Sequence, residues 1–551
     1  MDLPKIKNMT LREKIAQLLI VRMSDLVQDA STSYTKMRAP EEAAQLMEKY
    51  QFGGIWLHGA LDVNGVNDEW KKNVKFTVDE LKKWYEETRK NVRIPVIAAC
   101  DAIADTASEL SNYPKGLAIG ASSDPDAAFK LGQCIAREMS CCGIDWIWSP
   151  VADYCNRRHC FITRQFSNIP DDLIKCAIGY MKGLQSMNVA ATVKHFPGAD
   201  KYEMRDSHIV TTNIEMTLGE WWEDQGRIFQ EVIDAGVDAV MTEATAFPAV
   251  DDTCINGRFI PAGLSHKVIT ELLKEKMGFQ GVVITDSVKM GGFTSFYSGG
   301  RLYAEFLKAG NDMLLGVGID AVGLIEEEVK KGTLSEERID DAVERVLRLK
   351  KKMGLFDKGY REPDWTIDEA VGLTSKMAKE LAESSLTLIR DRKHTLPFQK
   401  ENVKKVCIVC YTHKEKVYEE LAAMREEFEA HGACVTMKRR LNSVEEAKEV
   451  ANNHDLIVYV GHIAFHSPHG PSSFYGVEYY ALRFAFVYGV DKSIGISLGY
   501  PHIHYDAMDD AIMFVNAYNS SKETQKAFVK GVYGEIPFAG KSPVILDGVN
   551  S

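Results

Sequence analysis

Four side chains in one stretch can do chemistry together: Lys194, His195, Asp206 and His208. Lys194-His195 ends an apolar run, and Phe196-Pro197-Gly198 turns the chain behind it. The next loop carries Asp206-Ser207-His208. An imidazole can protonate a leaving-group oxygen and later accept a proton from water. A carboxylate two residues away can hold its second ring nitrogen, fix the tautomer and favour the charged form. Asp286 closes Gly281-Val-Val-Ile-Thr-Asp286, so its carboxylate rides on a rigid apolar strand. A carboxylate so placed can attack an anomeric carbon or stabilise an oxocarbenium-like transition state. Each group also has a plainer reading. Asp286 can cap a helix, Asp206 and His208 can be ordinary loop residues, and Lys194-His195 can be a snorkelling lysine beside a buried histidine. A sharper rival makes Lys194 a Schiff-base lysine.

Positioning these groups requires a scaffold of alternating elements. Apolar runs at Gly53–His58, Ile94–Asp101, Asp145–Asp153, Val189–Phe196, Val237–Glu243, Gly281–Asp286 and Met313–Gly316 read as buried parallel strands. Helical spacing fills Asp124–Ser140, Asp171–Gln185, Leu218–Ala235 and Leu264–Met277. That alternation predicts an α/β fold. The strands end on His58, Asp101, Asp153, Lys194-His195, Glu243 and Asp286. Polar ends converging on one mouth favour a (β/α)8-type TIM barrel over an open sheet. Thr333-Leu-Ser-Glu336 reads as a capping box before a helix over Arg338–Lys352. The expected organisation is a catalytic barrel over 1–355, a linker and bridging helix over 356–390, and a smaller α/β sandwich domain over 391–551. That last domain opens on the strand Val403–Cys410.

Composition narrows the class. With 45% apolar and 26% charged residues the chain reads as a globular enzyme-sized protein. A net charge of −12 argues against nucleic acid or an anionic membrane as partner. No run approaches the roughly 20 apolar residues of a membrane span. Met1-Asp2-Leu3-Pro4-Lys5 lacks a signal peptide's apolar core, and eleven scattered Cys suggest reduced thiols, so a cytoplasmic location is expected. His462-x3-His466-x2-His469 has no carboxylate at ligand spacing, and Cys407-x2-Cys410 lies in an apolar strand. Neither predicts a metal, and no Gly-rich nucleotide loop appears, so no cofactor is expected. The oligomeric state is left open.

Taken in order, these segments resemble glycoside hydrolase family 3, in particular its β-N-acetylglucosaminidase branch. Lys194-His-Phe-Pro-Gly198 with Asp206-Ser-His208 looks like that branch's loop, and Val282–Asp286 looks like its nucleophile strand. Lys276-Met-Gly-Phe279, Ala235–Met241, Ala309–Met313 and Arg164–Ser167 with Pro170 are similar to further family segments. The resemblance covers roughly residues 5–355. It continues weakly to Gly534-Glu535 and Gly540–Leu546, which resemble the closing strand of two-domain members. It implies a retaining exo-glycosidase with Asp286 as nucleophile, His208 as general acid and base, and Asp206 orienting it. It also implies that Asp101, Arg164, Lys194 and His195 hold a terminal N-acetylglucosamine-type sugar, the carbohydrate substrate. Phosphorolysis on the same machinery, and a sugar-binding protein without turnover, are the alternatives.

The chain departs from that pattern at several points. Asp101-Ala-Ile-Ala-Asp105 stands where the branch shows an acidic-glycine loop, and Glu109 stands where it has an Arg. Ala199-Asp200 replaces a His-Gly pair, and Glu243 replaces a small residue followed by His. These changes predict an acidic pocket and a modified or differently linked sugar, one carrying a positive charge among them.

Overall fold

The computed structural model describes residues 4–27, 40–57, 78–90, 92–101, 113–122, 124–155, 162–357, 363–412, 418, 421–463 and 486–547. Eight parallel strands close into a barrel: β1 Leu19–Arg22, β2 Gly54–Trp56, β3 Ile97–Cys100, β4 Trp146–Ile147, β5 Ala190–Phe196, β6 Ala239–Thr242, β7 Val282–Ser287 and β8 Met313–Val317. Each pairs with its neighbour in sequence, and β8 returns to β1 through Leu19↔Leu314. Their apolar content follows from burial on both faces; all seven residues of β5 are buried. The interior includes Trp146, whose indole N–H donates to Thr192 Oγ1 at 2.6 Å, and Trp148, edge-on to Trp56.

Four sequence expectations need correction. β1 was not anticipated: it follows the helix Leu11–Gln17 directly, so its four residues read as more of the same apolar face. The long strand expected over Asp145–Asp153 is only two residues, because Pro150 has no N–H to give a ladder. The chain nevertheless stays beside β5 through a bridge from Val151 to Lys194. The helix expected over Leu218–Ala235 is two helices, Leu218–Glu223 and Gln225–Asp234, broken at Asp224. Trp221, three residues before the break, donates its indole N–H to Pro197 O at 2.9 Å, and a Cβ on Gly226 just past the break would meet its ring at 2.5 Å. The cap of the helix Glu336–Lys352 is Ser335, which accepts the Arg338 N–H, rather than Thr333.

The chain forms two compact units. The first takes Met1–Tyr113, Phe129–Tyr154 and Ala177–Thr374, and holds the barrel; the second takes Pro114–Ala128, Cys155–Cys176 and Ser375–Ser551. The second unit contains a mixed sheet in the order β9 Thr387–Asp391, β14 Met513–Asn516, β13 Ser493–Ser497, β12 Leu456–His462, β10 Lys405–Thr412, β11 Cys434–Lys438. β9 runs antiparallel to β14, and the other pairs are parallel. Between Gly540 and Leu546 no described residue is in a strand; a bridge from Ala539 to Thr387 stands in its place. Cys407 and Cys410 are buried in β10, and burial pushes both thiols up to about 12, which fits packing rather than reactivity. His462 Nδ1 lies 3.3 Å from Thr412 Oγ1, while His466 and His469 fall outside the described residues. No described helix is long and apolar enough to cross a membrane.

Candidate active site

The polar ends of β3, β5, β6 and β7, with the segment after β4, meet at the carboxyl mouth of the barrel. Lys194, on β5, is buried, and its Nζ lies 2.5 Å from Asp101 Oδ1 just past β3. That ion pair engages the amine, so the geometry gives no support to the Schiff-base alternative. His195 follows, with cis peptides at Lys194–His195 and Phe196–Pro197. Asp153 Oδ2 accepts both the His195 backbone N–H, at 3.2 Å, and a contact from Nδ1 at 2.6 Å. This doubly held carboxylate orients the imidazole and leaves Nε2 facing Asp286 Oδ2 at 3.9 Å. Sequence reading placed Asp153 at a strand end without assigning it this partner.

Gly198 turns the chain at φ +100°, where a Cβ would strike Gln225 at 2.1 Å. Gln225 opens the helix behind the break at Asp224. Its Nε2 donates to Ala152 O at 2.8 Å and its Oε1 accepts the Tyr154 N–H at 2.7 Å, so it clamps the backbone on both sides of Asp153. Asp200 braces the next loop: its two oxygens accept the Tyr202 and Glu215 N–H groups at 2.6 and 2.8 Å. That bracing accounts for an aspartate at a position where the resemblance leads one to expect glycine.

The loop carries the expected dyad. His208 Nδ1 is 2.7 Å from Asp206 Oδ1, and the same oxygen accepts the His208 backbone N–H at 2.9 Å. Asp206 is buried while the His208 side chain is 32% exposed, so the imidazole reaches the surface of the mouth. The loop docks on the chain just past β7, with Gly291 N–H donating to His208 O at 2.9 Å. A Cβ on Gly291 would meet Ile209 O at 2.3 Å, which is why the approach needs glycine. Asp286 lies near the end of β7, partly exposed, with Oδ1 accepting the Ser287 N–H at 2.5 Å.

Glu243 completes the group. It follows β6, is 2% exposed, and its Oε2 is 3.8 Å from His195 Nδ1. Burial pushes its carboxyl well above the usual glutamate range, and the neighbouring Asp153 and Asp286 carboxylates push it further. Asp153, His195 and Glu243 each offer a ligand atom within 4.8 Å of the others. The 2.6 Å contact between His195 Nδ1 and Asp153 is a hydrogen bond rather than an open ligand pair, so these three suit a proton network better than a metal. Arg164 belongs to the segment Cys155–Cys176 of the second unit. His58, Asp105 and Glu109 fall outside the described residues.

A TIM barrel whose mouth carries an open strand-end carboxylate and a carboxylate-held imidazole defines a sugar-cleaving class of enzyme. Comparison with known proteins agrees. Residues 10–349 match the Glycosyl hydrolase family 3 N terminal domain, and the chain belongs to that family as a glycoside hydrolase. A β-N-acetylglucosaminidase/β-glucosidase of Cellulomonas fimi is 26% identical over 465 residues, covering 80% of this chain and 81% of the relative. A family 3 β-N-acetylglucosaminidase from Paenibacillus sp. superposes with a TM-score of 0.77 at 23% identity, covering 98% of this chain and 99% of that one. A β-glucoside phosphorylase superposes at 0.80 with 22% identity, covering 98% and 94%. At these identities the two structures establish the fold.

Proposed function

We propose that this protein is a retaining exo-glycosidase for terminal β-linked sugars of the N-acetylglucosamine type. The Asp206–His208 dyad carries the reading: a partly exposed imidazole held at 2.7 Å, on a loop docked just past the Asp286 strand. Asp286 attacks the anomeric carbon while His208, as imidazolium, protonates the departing oxygen. Neutral His208 then takes a proton from water, which displaces Asp286 and restores the original anomeric configuration. Asp206 holds the tautomer and stabilises the imidazolium. Lys194, Asp101 and His195 hold the sugar hydroxyls, and Arg164 joins them in this reading. The names of the Cellulomonas and Paenibacillus relatives support the sugar class.

A 2-deoxy-2-fluoro glycosyl fluoride tests the mechanism. Covalent mass added at Asp286, with turnover of an aryl β-N-acetylglucosaminide, is expected; an unlabelled protein means a binder without turnover. The imidazole favours a second reading. Once it has given up its proton it is neutral and repels phosphate less than a carboxylate base would. Release of sugar 1-phosphate in phosphate buffer establishes phosphorolysis, and free sugar alone dismisses it.

A further inference from the structure

Among the described residues that surround His195, the acids outnumber the bases. Lys194 is taken by Asp101, His195 by Asp153 and His208 by Asp206, each at hydrogen-bond distance. Of this described group Asp286 and Glu243 remain, which His195 approaches only to 3.9 and 3.8 Å, beyond hydrogen-bond reach. Asp286 is accounted for as the nucleophile. Glu243 is not: it is buried beside the Ser207 hydroxyl, and among the described residues its Oε1 has no partner within hydrogen-bond distance. A buried carboxyl oxygen without a partner is costly unless a ligand supplies one.

The position of Glu243 says what kind of ligand group suits it. One imidazole separates it from Asp286: Nδ1 faces Glu243 and Nε2 faces Asp286. The carbon that Asp286 attacks therefore lies close to Glu243, and the substituent on the neighbouring ring carbon comes within its reach. We propose that Glu243 selects a glycone carrying a free, cationic amine beside the anomeric carbon, a β-linked 2-amino-2-deoxy sugar without the acetyl group. An ammonium there donates to Oε1 and favours the ionised carboxylate that burial and the neighbouring acids otherwise disfavour. A neutral acetamide or hydroxyl leaves Glu243 without an opposite charge.

The inference rests on the glycosidase reading and deepens it. Aryl β-glycosides of glucosamine, N-acetylglucosamine and glucose are compared by kcat/KM on the intact chain. Wild type is expected to favour the glucosaminide by about tenfold or more over both neutral sugars. Glu243→Gln is expected to erase that preference and Glu243→Asp to restore part of it. A wild type that prefers either neutral sugar, or a Gln variant that slows all three substrates by one factor, overturns the proposal. Should the variants fail to fold, inhibition of wild type decides: tighter binding of glucosamine than of N-acetylglucosamine or glucose supports it, and equal or weaker binding overturns it. Labelling of Asp286 by the 2-fluoro sugar together with a neutral preference overturns this inference alone. No turnover and no labelling overturns it together with the glycosidase reading.

Discussion

At the amino ends of the barrel strands Asp145, Asp238 and Asp312 each accept a backbone N–H from a neighbouring strand: Ala98 at 2.9 Å, Ala191 at 3.0 Å and Val283 at 2.9 Å. Each also meets a cation: Arg89 at 3.3 Å, Lys352 at 2.5 Å, and Lys274 at 2.8 Å with Arg338 beside it. At the carboxyl ends Asp286 and Glu243 are buried or half-buried as well, yet among the described residues neither meets a lysine or arginine, only His195 at 3.9 and 3.8 Å. The same side-chain type therefore does two jobs. Neutralised at the base, it ties strand to strand; left unmatched at the mouth, it keeps a field that a substrate can use. What separates a structural acid from a reactive one here is its partner rather than its burial.

The largest test of that contrast is Asp286→Asn. It is expected to lower kcat by on the order of 10⁴-fold or more while leaving the melting temperature nearly unchanged. Near-normal turnover would falsify the assignment. His208→Ala is next, with a loss of about 10²–10⁴-fold. The loss should shrink for a dinitrophenyl glycoside, whose leaving group needs no proton; an equal loss on all aglycones argues against an acid role. At the other end of the barrel Asp312→Ala strips Lys274 and Arg338 of their shared carboxylate. It should cost about 3–5 kcal/mol in urea unfolding, with normal kcat per folded molecule. A stable but inactive variant would erase the distinction between the two ends.

The smallest effect is a pH dependence at Glu243. Its carboxyl titrates higher in the fold than in the unfolded chain, because burial and nearby carboxylates disfavour the charge. Below its usual value of 4.5 both states hold the proton, and Glu243→Gln should change little. As pH rises above that value the unfolded chain loses the proton first. Wild type then loses stability relative to the Gln variant until Glu243 ionises in the fold. Melting temperatures that run parallel across this range would show that Glu243 has a cation after all.

Local features were legible in the sequence and long-range ones were not. Asp206 and His208 are two residues apart, so loop geometry alone can join them, and it does. Asp153 and His195 are 42 residues apart, and their pairing depends on β4 and β5 lying side by side. The expected helix over Leu218–Ala235 kept its periodicity on paper. Its break at Asp224 comes from Trp221 reaching back to Pro197 and from Gln225 clamping the backbone around Asp153. Periodicity records which side is apolar; it does not record which neighbour that side must fit.

The sequence by itself determined that buried parallel strands alternate with helices, and that several of those strands end in polar groups. Both depend on chemistry carried by short segments: apolar runs that must be buried, and acids or bases that stop them. The tertiary structure alone decided which acid meets which base. Closing the ring through β1 and β8 places side chains far apart in the chain within hydrogen-bond distance. The Coulomb and desolvation terms that separate Asp312 from Asp286 depend on those distances and on burial.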